Sequence, residues 1–269
     1  MACRSPEKGQ QAVSAILAEN PAIAPEFIRL DLADLASIRS TASIVTTSYP
    51  ILDILINNAG VMALPKRQTK DGFEMHFGIN HLGHFALTGL LLNSLLSAPA
   101  ARVVTVSSSM HLLGKMNFDD VNGEKRYQKW SAYGQSKLAN LLFAYEIQRR
   151  LERNGFSTIS LGCHPGFAST NLQIAGPLME GSQVKVLFNK VVNRLFAQSA
   201  QMGALPALYA AASSQVDGGD YIGPGSFGEF RGYPRKVKSS AASHDEEIAA
   251  QLWTVSEELT GVHYERLQP

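Results

Sequence analysis

The sequence predicts an α/β fold built on parallel strands. Three observations carry this expectation: short apolar runs recur along the chain, helical patterns separate them, and 45% of the 269 residues are hydrophobic, ample for a core. The runs lie at residues 27–30, 52–56, 102–107, 158–163 and 221–222.

In chain order, Ser5 caps a helix that has Pro6 at its first position and runs to about residue 20. The run at 27–30 follows, and a second helix follows Asp34. A long helical pattern spans 71–96 and precedes the run that ends in Ser107-Ser108-Ser109. The helix carrying Tyr133 continues to about residue 153, where Gly155 stops it. A C-terminal helix spans about 245–259, with Gly261 after it. No repeat, low-complexity segment or linker interrupts the chain, so residues 1–269 are expected to form a single domain.

The formal net charge is +1 without any basic block, which argues against a nucleic-acid partner and leaves small molecules as the expected ones. Cys3 and Cys163 have no metal-ligand spacing and make a disulfide scaffold implausible in so long a chain; a reducing, cytoplasmic setting is expected. No stretch reaches the roughly 18 to 20 apolar residues that cross a bilayer, and no transmembrane segment is expected.

The chemistry concentrates at Tyr133 and Lys137. A phenol titrates near pH 10 in isolation, so proton exchange near neutrality needs a positive charge close by. Spacing i,i+4 on a helix puts both side chains on one face, where the ammonium favours phenolate and reaches a nucleotide ribose. A Tyr-x-x-x-Lys match alone occurs by chance in many helices. Here it stands in an ordered set: Asn57-Asn58-Ala59-Gly60 after an apolar run, then Asn80, the serine run after Arg102-Val103-Val104-Thr105-Val106, and downstream Pro165-Gly166 with Thr170.

This ordered set resembles the short-chain dehydrogenase/reductase family, most closely the subgroup with retinol dehydrogenases, the WW-domain oxidoreductase and light-dependent protochlorophyllide reductase. The resemblance runs essentially from Ala2 to Gly261. It implies reversible reduction of an aldehyde or ketone to an alcohol, on an apolar substrate, with a nicotinamide cofactor. Tyr133 would then donate the proton, Lys137 lower its pKa, Ser108 hydrogen-bond the substrate oxygen, and Asn80 hold a water linking Lys137 to solvent. Ser107 or Ser109 could replace Ser108 after a one-residue register error. Asp31-Leu32 resembles the adenine-binding pair, Asn58-Ala59-Gly60 the adenosine-side loop, and Pro165-Gly166 with Thr170 the nicotinamide end. Arg4 and Lys8 stand where a basic residue accommodates the 2′-phosphate of NADP, which is therefore expected in preference to NAD.

Family members open with a strand, a Thr-Gly-x-x-x-Gly-x-Gly turn and a helix that holds the pyrophosphate. This sequence has no such turn, and its first residues resemble the end of the family's second strand. The resemblance thus implies a three-layer, Rossmann-like, doubly wound parallel sheet missing the first strand and helix and most of the second strand. Loss of central strands implies an isolated 27–30 strand, an unstable chain and negligible NADPH binding. The rival expectation is a truncated, catalytically incompetent protein that only binds partners.

His76, His81 and His84 lie close together, but no acidic residue or cysteine at ligand spacing completes a metal site. They are expected to line the substrate cleft or the surface. His111 and His164 could line the pocket. Residues 184–196 carry an amphipathic helical pattern that reads as an apolar lid, as a helix packed on the core or, through Lys185, Lys190 and Arg194, as a membrane-surface helix. A homodimer through the helices at 71–96 and 130–153 is a further expectation.

Overall fold

The computed structural model describes residues 1–168, 197–226 and 228–268. Thr170 and the amphipathic stretch at 184–196 lie outside the described residues.

Ala2–Cys3 (β1) and Ile28–Arg29 (β2) form a parallel pair joined by helix α1, Pro6–Leu17. The Ser5 side chain accepts the Lys8 N–H at 3.3 Å, and Pro6, which has no N–H to leave unpaired, fills the first helical position. The expected isolation of the 27–30 strand is corrected. Ile28 N–H donates to the Met1 carbonyl at 2.9 Å and Leu30 N–H to the Cys3 carbonyl at 3.0 Å, so the extended first residues supply its neighbour.

The main sheet has the order β3-β4-β5-β6-β7: Ile54–Asn57, Arg102–Val106, Ile159–Cys163, Tyr221–Ser226 and Arg231–Lys236. The first four strands are parallel and β7 is antiparallel to β6. β4 pairs on both sides, and Val103 and Val104 are fully buried, as a strand covered on both faces requires. β7 escapes the sequence reading because Gly232 and Pro234 interrupt it; an outer strand tolerates both. The two sheets share no ladder among the described residues, yet Leu30 and Leu32 belong to the same apolar cluster as Leu55, Val61 and Ile79.

Helix α2 (Leu35–Ser48) begins at Asp34, whose carboxylate accepts the Ala36 and Ser37 N–H groups. The long pattern at 71–96 resolves into a π-helical turn, Phe77–Leu82, followed by α3, Gly83–Leu90, and α4, Leu92–Leu96. A π-turn inside helical structure often marks a functional position. Helix α5 (Lys129–Arg153) is buried at every residue from 133 to 148 and ends before Gly155 at φ 68°. Helix α6 (Ala200–Ala212) packs on the strands of the main sheet and α7 (Glu246–Thr260) on α5; Asp245 caps α7, and Gly261 ends it in the left-handed region. Among the described residues no helix is long and apolar enough to cross a membrane.

Candidate active site

Tyr133, Lys137 and Ser108 converge where α5 crosses the end of β4. Strand β4 delivers the serine run, and a 3₁₀ turn, Ser109–Leu113, follows it. A Cβ on Gly114 would fall 2.5 Å from the Gly134 carbonyl, so the segment after this turn rests backbone to backbone on α5 beside Tyr133. Ser107 turns inward and donates to the Lys137 carbonyl at 2.7 Å, whereas Ser108 is half-buried and faces the Tyr133 phenol. Ser108 Oγ accepts the Met110 N–H at 3.3 Å, and its hydroxyl is directed to the Tyr133 oxygen.

Lys137 is fully buried by its surroundings, and that burial pushes its pKa down to about 8. Its Nζ donates to the Val106 carbonyl at 3.1 Å and lies 5.9 Å from the centre of the Tyr133 ring. Burial raises the Tyr133 pKa, while the Ser108 hydroxyl lowers it by less. Cys163, at the end of β5, is also buried, and its thiol is pushed up to about 12 by desolvation.

Asn80 is fully buried in the π-turn, and both ends of its amide are in use. Oδ1 accepts the Val61 N–H at 2.8 Å; Nδ2 donates to the Val61 carbonyl at 3.0 Å and to Ser136 Oγ at 2.9 Å. The side chain thus clamps the loop after β3 to α5. A Cβ on Gly60 would lie 3.0 Å from Asn80 Oδ1 and 3.5 Å from Lys137 Nζ. A side chain here would press on the Asn80 amide and bring the loop into ordinary contact with the lysine head.

The other expected contacts lie on loops around this centre. Asn58 and Ala59 are exposed and Gly60 is half-buried. Asp31 Oδ1 accepts the Ala33 N–H at 3.0 Å, and the Leu32 side chain is part of the core. Arg4 and Lys8 are both exposed, at the end of β1 and in the first turns of α1. Gly166 takes φ 63°, and a Cβ there would meet the Phe230 carbonyl at 2.5 Å, while the Pro165 carbonyl accepts from Gln198 at 2.7 Å.

The structure corrects the expected placement of three histidines, which are core groups. His81 reaches Ser256 Oγ at 2.8 Å and His84 the Asn80 carbonyl at 3.2 Å; burial pushes both down to about 3, with Lys137 adding to the effect on His84. No group of at least 3 metal-binding side chains forms among the described residues. His111 Nδ1 donates to the Ser108 carbonyl at 2.7 Å, and His164 lies 3.2 Å from Glu229. Sequence reasoning missed Ser136, Asn140 and Gly134. Asn140, whose Nδ2 donates to the Val106 carbonyl at 2.9 Å, could have been found as a second poor helix former one turn beyond Ser136.

The site can hold a nicotinamide nucleotide: Lys137 has one hydrogen bond to Val106 and further N–H donors, and the Gly60 backbone passes beside it. The family model described as short chain dehydrogenase matches residues 1–178. Human retinol dehydrogenase 14 is 42% identical over 235 residues, which cover 87% of this chain and 66% of that protein. Mouse retinol dehydrogenase 12 is 39% identical over 265 residues, covering 98% and 79% respectively. A crystal structure of an uncharacterized protein from Mycobacterium Paratuberculosis superposes with TM-score 0.78 at 40% identity, covering 98% of this chain and 84% of that one. With these matches spanning the β4–α5 centre, the chain belongs to the short-chain dehydrogenase family.

Proposed function

We propose that the protein is an oxidoreductase that interconverts an aldehyde or ketone and an alcohol, with NADP preferred over NAD and an apolar substrate. The observation that carries this reading is the grouping of the half-buried Ser108 hydroxyl with the buried Tyr133 phenol and Lys137 ammonium. The bound nucleotide supplies the hydride. Ser108 would orient the carbonyl oxygen, and Tyr133, kept protonated by burial, would donate the proton to it. Lys137 would hold the ribose and steady the charge left on the phenol. Exposed Arg4 and Lys8, basic residues just after the β1 strand, favour a 2′-phosphate.

Exposed Leu112, Leu113 and Trp130, on the turn after Ser108 and at the start of α5, favour an apolar substrate. The unpaired thiols fit a reducing, cytoplasmic setting. The test is nonanal reduction followed at 340 nm with NADPH and with NADH. Turnover is expected with both and about 10-fold faster with NADPH at subsaturating cofactor, an advantage that Arg4→Ala erodes, since a charge-assisted hydrogen bond contributes about 1.5–3 kcal/mol. Absence of turnover with a panel of apolar carbonyls and both nucleotides refutes the reading.

A further inference from the structure

Beside Tyr133 lies a second buried polar group that the proposed chemistry does not use. Glu74 and His76 are 2% and 0% exposed, and His76 Nδ1 lies 2.7 Å from Glu74 Oε1. The Leu64 N–H, which can only donate, reaches His76 Nε2 at 3.1 Å. Nε2 is therefore the acceptor, the ring proton sits on Nδ1, and it is donated to Glu74. The other Glu74 oxygen accepts the Phe77 N–H at 2.8 Å, and Asn122 Oδ1 accepts the Glu74 N–H at 3.0 Å. Tyr127 completes the group. Its hydroxyl donates to the Leu64 carbonyl at 2.8 Å and lies 3.4 Å from both Glu74 Oε1 and His76 Nδ1. Both main-chain groups of Leu64 are thus held by side chains.

Three residues earlier the same arrangement recurs, with both main-chain groups of Val61 held by Asn80. His76 and Asn80 are one helical turn apart. Between the two clamped residues Ala63 sits at φ 51°, a conformation that a non-glycine residue keeps only when its neighbours impose it. The loop between β3 and the π-turn is therefore fixed at both ends. One end carries Gly60 past Lys137 Nζ, and at the other the His76 ring lies 6.0 Å from the Tyr133 ring.

We propose that Glu74, His76 and Tyr127 are a positioning triad that locks the Gly60–Leu64 loop in one register against Lys137 and Tyr133. The consequence for turnover rests on the proposed oxidoreductase reading; the consequence for the loop does not. Without the triad, Ala63 relaxes and the Gly60 backbone moves relative to the lysine. A displacement of about 1 Å in such a site can cost about 100-fold in rate.

The test uses the full chain and two readouts. The first is hydrogen–deuterium exchange of the Leu64 amide, which needs no turnover. Tyr127→Phe removes one hydroxyl at a half-buried position, so it leaves a folded protein even if Glu74→Gln does not. It and His76→Leu are expected to speed exchange about 10-fold, by analogy with loss of one hydrogen bond of about 1.4 kcal/mol, with amides of α5 unchanged. Unchanged Leu64 exchange overturns the triad, whether or not the wild type turns over nonanal. The second readout is kinetic. His76→Leu is expected to lower kcat about 10-fold with little change in KM for the aldehyde, a smaller loss than full displacement would give. His76→Gln, whose amide oxygen can accept the Leu64 N–H, should restore most of it. A wild type without turnover refutes the oxidoreductase reading and leaves the exchange result to decide the triad. Faster exchange with unchanged kcat in an active wild type overturns the positioning role.

Discussion

The region built on β4, α5 and β5 and the region built on β1, α1 and β2 are held by different means. In the first, four residues of β4 pair with both neighbours and α5 is buried over its residues 133–148. In the second, two residues pair with two, α1 buries only Gly9 and Val13, and Ile23 is 85% exposed. The groups proposed to move a proton are thus part of the core, whereas Arg4 and Lys8 sit on a thinly held edge. Substitutions in the first region should change chemistry sharply, and those in the second should change stability or cofactor preference slightly.

The largest effect expected is that of Tyr133→Phe. Loss of a general acid costs about 100- to 10,000-fold in kcat, with the melting temperature nearly unchanged because the ring still fills its place. Retained turnover would show that the buried region is structural only. An intermediate effect concerns Lys137. Its folded pKa of about 8 lies below the ordinary 10.5, so the folded state binds the proton less well than the unfolded chain. That cost is present in full below about pH 8 and disappears as pH rises from 8 to 10.5. Lys137→Met should therefore be inactive yet more stable than wild type near pH 7, by about 1–3 kcal/mol, and the difference should shrink at alkaline pH. The Val106 carbonyl keeps its Asn140 bond in that variant. Urea melts at pH 7 and 10 check the sign. The smallest effect is that of Ser5→Ala, which removes the α1 cap and should cost about 0.5–1 kcal/mol in the same assay. A much larger loss would show that the two regions unfold as one.

The contrast between regions also governed what the sequence could tell. Tyr133, Lys137 and Ser108 were legible because spacing on one helix and the end of one apolar run define them locally. The Asn80 clamp was not, since its partners at Val61 and Ser136 are far away in sequence and become neighbours only through the π-turn. The 71–96 pattern read as one helix because its apolar period is unbroken. Gly78 and Gly83, which let it approach Thr69 and the Leu32 carbonyl, carry no periodic signal. Glu74 and Tyr127 carried no signal and His76 read only as one of three neighbouring histidines; the Leu64 backbone they share gives them meaning.

The two cysteines divide the molecule in the same way. Cys3 is half-exposed on β1, while Cys163 is buried at the end of β5 with its thiol held protonated. A thiol-selective dye therefore labels the folded chain at one place, since the thiolate is the reactive form. The fluorophore on Cys3 becomes a local gauge of the thinly held edge, and delayed labelling of Cys163 serves as an internal clock for opening of the core.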